Sequence, residues 1–315
     1  MTPSISISQI KYVLALEKTG SFSEAAEICF VTQSTLSTMI KKLEVQIDLT
    51  LFDRKTKPIC LTPEGLSLIE QLRTIFHEYE GLKELVQKTK ESFYGNLHIG
   101  IIPTIAPFLL PLFLDKILTR YPEVNFTINE ITTNDIANKI KSREIDIGIL
   151  SLPLNDKELI QKRLFTEDFL VYDVNHSSNS NKKYKINDID VSRLWLLEEG
   201  HCMTNQIEKI CHLRKKRKAS KNLIYNSGSI LSLLELVNMN KGITLLPRLA
   251  SLRKNLIKEK FVFKMETPVP ARDIGIITHQ NFTKKRLLNI LEKEIKTAVK
   301  PFLNTKKKLK VIKPF

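Results

Sequence analysis

Between Thr62 and Phe93 the chain carries a run in which Ile69, Leu72, Phe76, Tyr79, Leu82, Val86 and Thr89 recur at alternating spacings of three and four. That spacing is the seam of a coiled coil, because a 3.5-residue repeat keeps one apolar stripe turned towards a partner helix. Thr62 and Pro63 supply an N-cap and a first helical residue that needs no backbone donor. The run predicts one long helix over residues 62–93, too long for a small neighbouring domain to cover. A second copy of the chain is the economical cover, so a homodimer is expected. The helix also divides the 315 residues into an N-terminal domain (1–61), a domain at 94–303 and a basic tail (304–315).

Residues 8–18 place Ile10, Val13 and Leu14 at helical spacing, and Gly20 ends that helix. Ser21 with Glu24 reads as a capping box opening a short helix, FSEAAEICF. Thr32 can cap a third helix whose apolar stripe is Leu36, Ile40 and Leu43, leaving Gln33, Ser34, Thr35, Ser37, Thr38 and Lys41 outward. A slim polar face of this kind is either merely solvated or suited to reading base edges in a major groove. The next residues, DLTLFDRKTKPICLTPEG, alternate like a hairpin, with Arg54, Lys55 and Lys57 at the tip where a wing would meet phosphates. Arg54 is the strongest wing candidate. Cys29 and Cys60 are expected to be structural.

Global charge does not decide the matter. The chain is +15 overall, yet residues 1–95 carry 11 Lys/Arg and 12 Asp/Glu, so the excess lies beyond them. Its runs, RKKRKASK from Arg214, KKR at 284–286 and KKKLKVIK from Lys306, are either solvated surface or auxiliary phosphate contacts.

From Gly95 strands alternate with helices: NLHIGII, PFLLPLFLDKILTRYP, VNFTINEI, TTNDIANKIKSRE and IDIGILSL predict a parallel α/β unit. A second set follows, with DFLVYD, LWLLEE, a helix after Cys202, NLIY, the helix SILSLLELVNMN and GITLLP, before DIGIITHQ returns late. Two sets predict two lobes with a ligand cleft between them. There is no phosphate-binding glycine loop, no Cys/His cluster for a metal and no complete catalytic constellation, so neither cofactor nor enzymatic activity is expected. No apolar run reaches the length of a membrane span, and MTPSISISQIKYVLALEKTGSF is not a secretory leader. A cytoplasmic protein is expected, with any disulfide regulatory rather than structural.

Cys202 stands at a strand-to-helix junction with Cys211 nine residues on. A thiol at a helix start sees the positive end of the helix, which favours thiolate. Nine residues of helix separate the two Cα atoms by roughly 13 Å, whereas a disulfide needs less than ~7 Å. A bridge would require the helix to unravel. Two cysteines this close are also compatible with ordinary burial, and spacing alone leaves both readings open.

Residues 9–65, through GSFSEAAE, VTQSTLSTMIKKLE, LFDR and LTPEG, resemble the DNA-binding domain of the LysR family. Ser34 stands where that family usually has proline. The segment from Gly95 to about Pro301, with GNLHIGIIPT, EIDIGIL and KGITLLP, resembles its effector domain. The resemblance implies a mainly α winged helix-turn-helix domain and linker helix, followed by an α/β two-lobed periplasmic-binding-protein-like regulatory domain. Lobe I would span about 94–166 and 270–303, lobe II about 167–269. It further implies double-stranded DNA as partner, read at an interrupted palindrome by a dimer or tetramer, with RNA polymerase contact left open. Within the family, GHC followed by Gln206 and Cys211 resembles the OxyR branch, the hydrogen-peroxide sensors. That resemblance implies Cys202 as peroxidatic and Cys211 as resolving cysteine. It assigns Thr104 and Thr133 to the peroxide pocket, Arg272 to stabilising the thiolate, and His201 to orienting peroxide. Asn205 replaces an acidic residue common in that branch, which bears on proton delivery. A LysR regulator answering to a small metabolite, with bystander cysteines, is the alternative; a solute-binding or catalytic protein is disfavoured by the winged domain.

Overall fold

A computed structural model describes residues 4–87, 95–176, 183–197, 202–211, 228–303 and 308–314. The chain forms two compact units.

In the first unit, α1 (Ile7–Thr19) is opened by Ser6 and Gln9, which form a reciprocal capping box, and closed by Gly20 at φ 63°. A Cβ at Gly20 would stand 2.7 Å from that of Pro58, so both backbone and space demand glycine. The capping box expected at Ser21 and Glu24 does not form at α2 (Phe22–Cys29). Ser21 Oγ lies 2.9 Å from Ser23 Oγ, and the Ser21 N–H that Glu24 would have taken donates instead to Thr19 Oγ1. Thr32 does cap α3 (Gln33–Ile47), accepting from the Thr35 N–H, and Leu36, Ile40 and Leu43 are buried. The wing is a two-residue ladder, β1 (Phe52–Asp53) against β2 (Cys60–Leu61).

Thr62 Oγ1 accepts from the Gly65 N–H at the start of α4 (Pro63–Gln87). The first part of its apolar stripe is covered within the unit, which corrects the sequence assignment of the whole seam to a partner. Ile69 and Leu72 are buried in the same core as Val13, Leu16, Leu36 and Ile40, with Phe76 packed against it. The first turns of α4 are still within reach of that core. Further along, Ile75 and Leu82, seven residues apart, remain 39% and 57% exposed. The side chains of Val86 and Thr89 lie outside the described residues.

The second unit contains β3 (Gly95–Ile101), α5 (Ala106–Arg120), β4 (Val124–Glu130), α6 (Thr133–Lys141), β5 (Ile147–Leu152), β6 (Leu159–Asp173), α7 (Cys202–Cys211), α8 (Ile230–Met239), β7 (Ile243–Pro247), β8 (Val262–Phe263), β9 (Val269–His279), α9 (Lys285–Val299) and β10 (Leu309–Val311). The strands make an eight-stranded sheet in the order β4-β3-β5-β9-β6-β7, with β8 on β6 and β10 on β9. β3 runs parallel to β4 and β5, as their helical crossovers require. The sheet as a whole is mixed rather than parallel, because β9 returns antiparallel between β5 and β6. β6 and β9 pair from Leu159 with His279 to Asp168 with Ala271, after which β6 continues alongside β7. These two long strands are therefore common to both halves of the sheet, and charged side chains at their middle sit where the halves meet. The strand expected at LWLLEE reduces to a single bridge between Leu194 and Ile243, and NLIY lies outside the described residues.

Candidate functional site

Three helix starts meet at one small cavity. Thr104 follows β3 just before α5, Thr133 is the first residue of α6, and Cys202 is the first residue of α7. With Ile102, Pro103 and Thr132 they line a space of about 10 Å³, enough for one water-sized molecule. Helix N-termini carry unpaired N–H groups and partial positive charge, so this lining favours an electron-rich guest.

The polar groups are directed. Arg272, fully buried on β9, donates through Nη1 to Thr104 Oγ1 at 2.9 Å and through Nη2 to the Thr104 carbonyl at 3.1 Å. Because Thr104 Oγ1 accepts from the guanidinium, its own O–H is left to donate to a cavity guest. Thr133 Oγ1 lies 2.6 Å from Cys202 Sγ, either atom able to donate. A thiol donating to Thr133 would turn the Thr133 hydrogen elsewhere; a thiolate would receive it. Arg272 is itself held by the equally buried Glu167, whose Oε1 accepts from Nε at 3.0 Å and whose Oε2 accepts from the Leu249 N–H at 3.0 Å.

Burial pushes the Cys202 thiol above the ordinary range, with the Thr133 hydrogen bond and the Arg272 charge opposing it. The net direction is opposite to the thiolate preference expected from the helix start alone, since desolvation outweighs the hydrogen bonds and the charge that favour thiolate. Burial raises Cys211 to about 12. The two cysteines are free thiols at opposite ends of an intact ten-residue helix, which keeps them roughly 13 Å apart. Thr133→Val removes a hydrogen bond that favours thiolate, worth about 1.5 kcal/mol at a charged sulfur. Alkylation of Cys202 by iodoacetamide at neutral pH is expected to slow by about tenfold, with the rate still rising with pH.

Of the residues expected at this site, Thr104, Thr133, Cys202 and Arg272 come together, and Cys211 lies at the far end of α7. His201 lies outside the described residues. Asn205 is half-buried on α7. Gln206, a motif marker without a role in the sequence, is buried, and its amide donates to Ser151 Oγ of β5 at 3.2 Å and to the Ile312 carbonyl at 2.7 Å. Glu167 was also missed. Its signal was the pair of adjacent carboxylates inside the apolar run FTEDFLVYD, since buried charges require partners; Asp168 finds Arg248 as Glu167 finds Arg272. Among the described residues no group of His, Cys, Asp or Glu is placed to hold a metal ion, and no helix is long and apolar enough to cross a membrane.

On the first unit, Gln33, Ser34, Thr35, Thr38 and Lys41 are exposed along α3, and Ser37 is half-buried. The Ser34 and Thr35 hydroxyls lie 2.9 and 2.8 Å from Thr32 Oγ1, engaged in the cap. Lys55 is exposed beside β1. Arg54 is more than a free cation at the wing. It pairs with Glu44 of α3 at 2.9 Å and lies over the Phe22 ring, while Glu44 also accepts from the Leu51 N–H. The wing is thereby tied to α2 and α3, with Arg54 still 38% exposed. Cys29 is buried, and Cys60 is exposed on β2.

Comparison with known proteins accounts for both units. Residues 7–66 match the bacterial regulatory helix-turn-helix protein, lysR family, and residues 90–297 match the LysR substrate binding domain. The HTH-type transcriptional regulator EstR of Acinetobacter baylyi is 31% identical over 88% of this chain and 91% of its own. The DNA-binding transcriptional dual regulator OxyR of Escherichia coli is 30% identical over 87% and 89%. Full-length OxyR from Pseudomonas aeruginosa, in a cysteine-to-aspartate variant, superposes with a TM-score of 0.76 at 26% identity, over 93% of this chain and 98% of that one.

Proposed function

Because the chain belongs to the LysR family of bacterial transcription regulators, which are DNA-binding proteins and not enzymes, we propose that its effector domain senses hydrogen peroxide through Cys202 and Cys211. The observation that carries this reading is the water-sized cavity lined by the Thr104 and Thr133 hydroxyls and the Cys202 thiol, with the buried Arg272 bonded to Thr104 behind it. A metabolite pocket ordinarily encloses hundreds of Å³, so the space at Cys202 selects for a guest of a few atoms. In the first step the Cys202 thiolate attacks one peroxide oxygen. The O–O bond breaks, the departing oxygen takes a proton and leaves as water, and Cys202 becomes a sulfenic acid. The Thr104 hydroxyl, polarised by Arg272, donates to the departing oxygen as its charge develops. In the second step the Cys211 sulfur attacks the sulfenic sulfur, a second water leaves, and the disulfide forms. At roughly 13 Å that step requires α7 to unwind, so the redox event is also a conformational one.

DNA reading rests on α3 and the wing, presented twice by a dimer through α4 or four times by a tetramer, in the cytoplasm. Gln33→Ala is expected to weaken operator binding by about 1–3 kcal/mol and relax specificity at one base pair, whereas Lys41→Ala lowers the salt dependence by about one ion. Titrations on matched and single-base-altered duplexes at several salt concentrations separate the two effects. The sensing reading is tested by mass-spectrometric thiol mapping of reduced and peroxide-treated full-length protein, with DNA affinity measured in parallel at fixed salt. A 202–211 disulfide with altered affinity is expected; neither appearing sinks the reading and favours a metabolite effector.

A further inference from the structure

The basic C-terminal segment, which the proposed chemistry leaves without a role, pairs as a strand with β9 and then meets α7. β10 runs parallel to the start of β9, Leu309 opposite Val269 and Val311 opposite Ala271. The ladder is extended at both ends: the Val269 N–H donates to the Lys308 carbonyl at 3.0 Å and the Ile312 N–H to the Ala271 carbonyl at 2.8 Å. The segment leaves the ladder one residue before Arg272 on the neighbouring strand. Leu309 and Ile312 pack against the main core. Beyond the ladder, the next two carbonyls are taken by α7. Gln206 Nε2 donates to the Ile312 carbonyl at 2.7 Å and Lys209 Nζ to the Lys313 carbonyl at 3.2 Å. Gln206 and Lys209 are three residues apart, on one face of the helix, and both lie between Cys202 and Cys211.

We propose that β10 is a strap that holds α7 helical, so that Gln206, Lys209 and the carbonyls of Ile312 and Lys313 are positioning groups that set the rate of Cys202–Cys211 closure. This rests on the peroxide reading. The sulfenic acid at Cys202 and the thiol of Cys211 meet only when the middle of α7 leaves its helical path. That movement must break the two bonds to the strap as well as the intrahelical ones. Among the described residues, the strap makes no hydrogen bond to those lining the cavity, so it acts on the second step and not on the first. Its attachment to β9 beside Arg272 also means that loosening α7 frees the strap at the strand shared by both halves of the sheet.

The test compares the full chain with a variant ending at Lys308 and with Lys209→Met, which removes one strap bond and leaves the tail in place. Rapid-quench mass spectrometry follows Cys202 sulfenic acid, trapped with dimedone, and the 202–211 disulfide after hydrogen peroxide addition. Sulfenic acid formation is expected to stay within about twofold in all three. Disulfide formation is expected to accelerate about tenfold in the truncated chain and about threefold in Lys209→Met, in line with two and one lost hydrogen bonds. Unchanged or slower disulfide formation in both variants, with sulfenic acid forming normally, overturns the strap. If no sulfenic acid forms even in the full chain, the peroxide reading has failed, and hydrogen exchange of the α7 amides in the reduced proteins decides the strap alone. Exchange about tenfold faster in the truncated chain supports it; equal exchange removes it.

Discussion

Cys202→Ser is expected to bind its operator with unaltered affinity in the absence of peroxide and to show no change when peroxide is added, with Cys211 remaining reduced. The physical argument is that Cys211 cannot take over. Burial raises its thiol to about 12, so that at pH 7 only about one molecule in 10⁵ carries the thiolate that attacks peroxide. It also lies at the far end of α7, whereas the cavity that admits a small polar guest is built at the helix start. Peroxide-driven change should fall by several orders of magnitude. Cys211→Ser should behave differently: Cys202 still reaches the sulfenic acid, which persists for want of a partner and is captured by dimedone. For the wild-type chain the rate should climb as pH rises towards and beyond 9, because the Cys202 thiol is raised above that ordinary value and the reactive form grows by about tenfold per unit below its pKa. Exposed Cys60 is the control site; modification there should leave the 202–211 disulfide yield unaffected. A Cys202→Ser protein whose DNA affinity still responds to peroxide would remove the cysteine from the sensing step.

What could be read from the sequence follows from how local each cause is. The cap at Thr32, the buried stripe of Leu36, Ile40 and Leu43, the stop at Gly20 and the helix from Pro63 are set within a turn or two of chain, and each is found as expected. The Ser21 box was local too, yet it failed because Thr19 competes for the same N–H. Along α4 the seam was assigned to a partner helix, yet Ile69 and Leu72 face the unit's own core, which periodicity alone does not describe. In the second unit, β9 runs opposite to β5 and β6 because it returns from the other half of the sheet, and nothing in its own residues encodes that direction. The cavity shows the same division. Family resemblance named Thr104, Thr133 and Arg272, but the directed bond from Arg272 to Thr104, 168 positions apart in the chain, exists only in three dimensions. The helix-start argument for a thiolate at Cys202 left out burial, a property of packing, which pushes the thiol up.

Glu167 and Arg272 form a pair with both side chains fully buried, and breaking it should produce the largest loss of stability of any change near the site. Glu167→Ala leaves a guanidinium uncompensated in the protein interior, which typically costs about 3–5 kcal/mol, a large share of the roughly 5–15 kcal/mol that holds a domain folded. Arg272→Met strands the carboxylate in the same way, although Glu167 can take up a proton and so escape part of the penalty. The double variant Glu167→Leu with Arg272→Met removes both charges, and well-packed apolar replacements of buried pairs are often neutral or stabilising. Denaturant unfolding should therefore show both single variants strongly destabilised and the double variant restored to near the parent. Cys202 reactivity should not be restored with it, because the double variant still lacks the guanidinium that lowers the thiol and polarises Thr104. The opposite pairing of results, reactivity recovering together with stability, would mean that Arg272 serves only to hold β9 against β6, and the chemistry assigned to it would have to pass to another group.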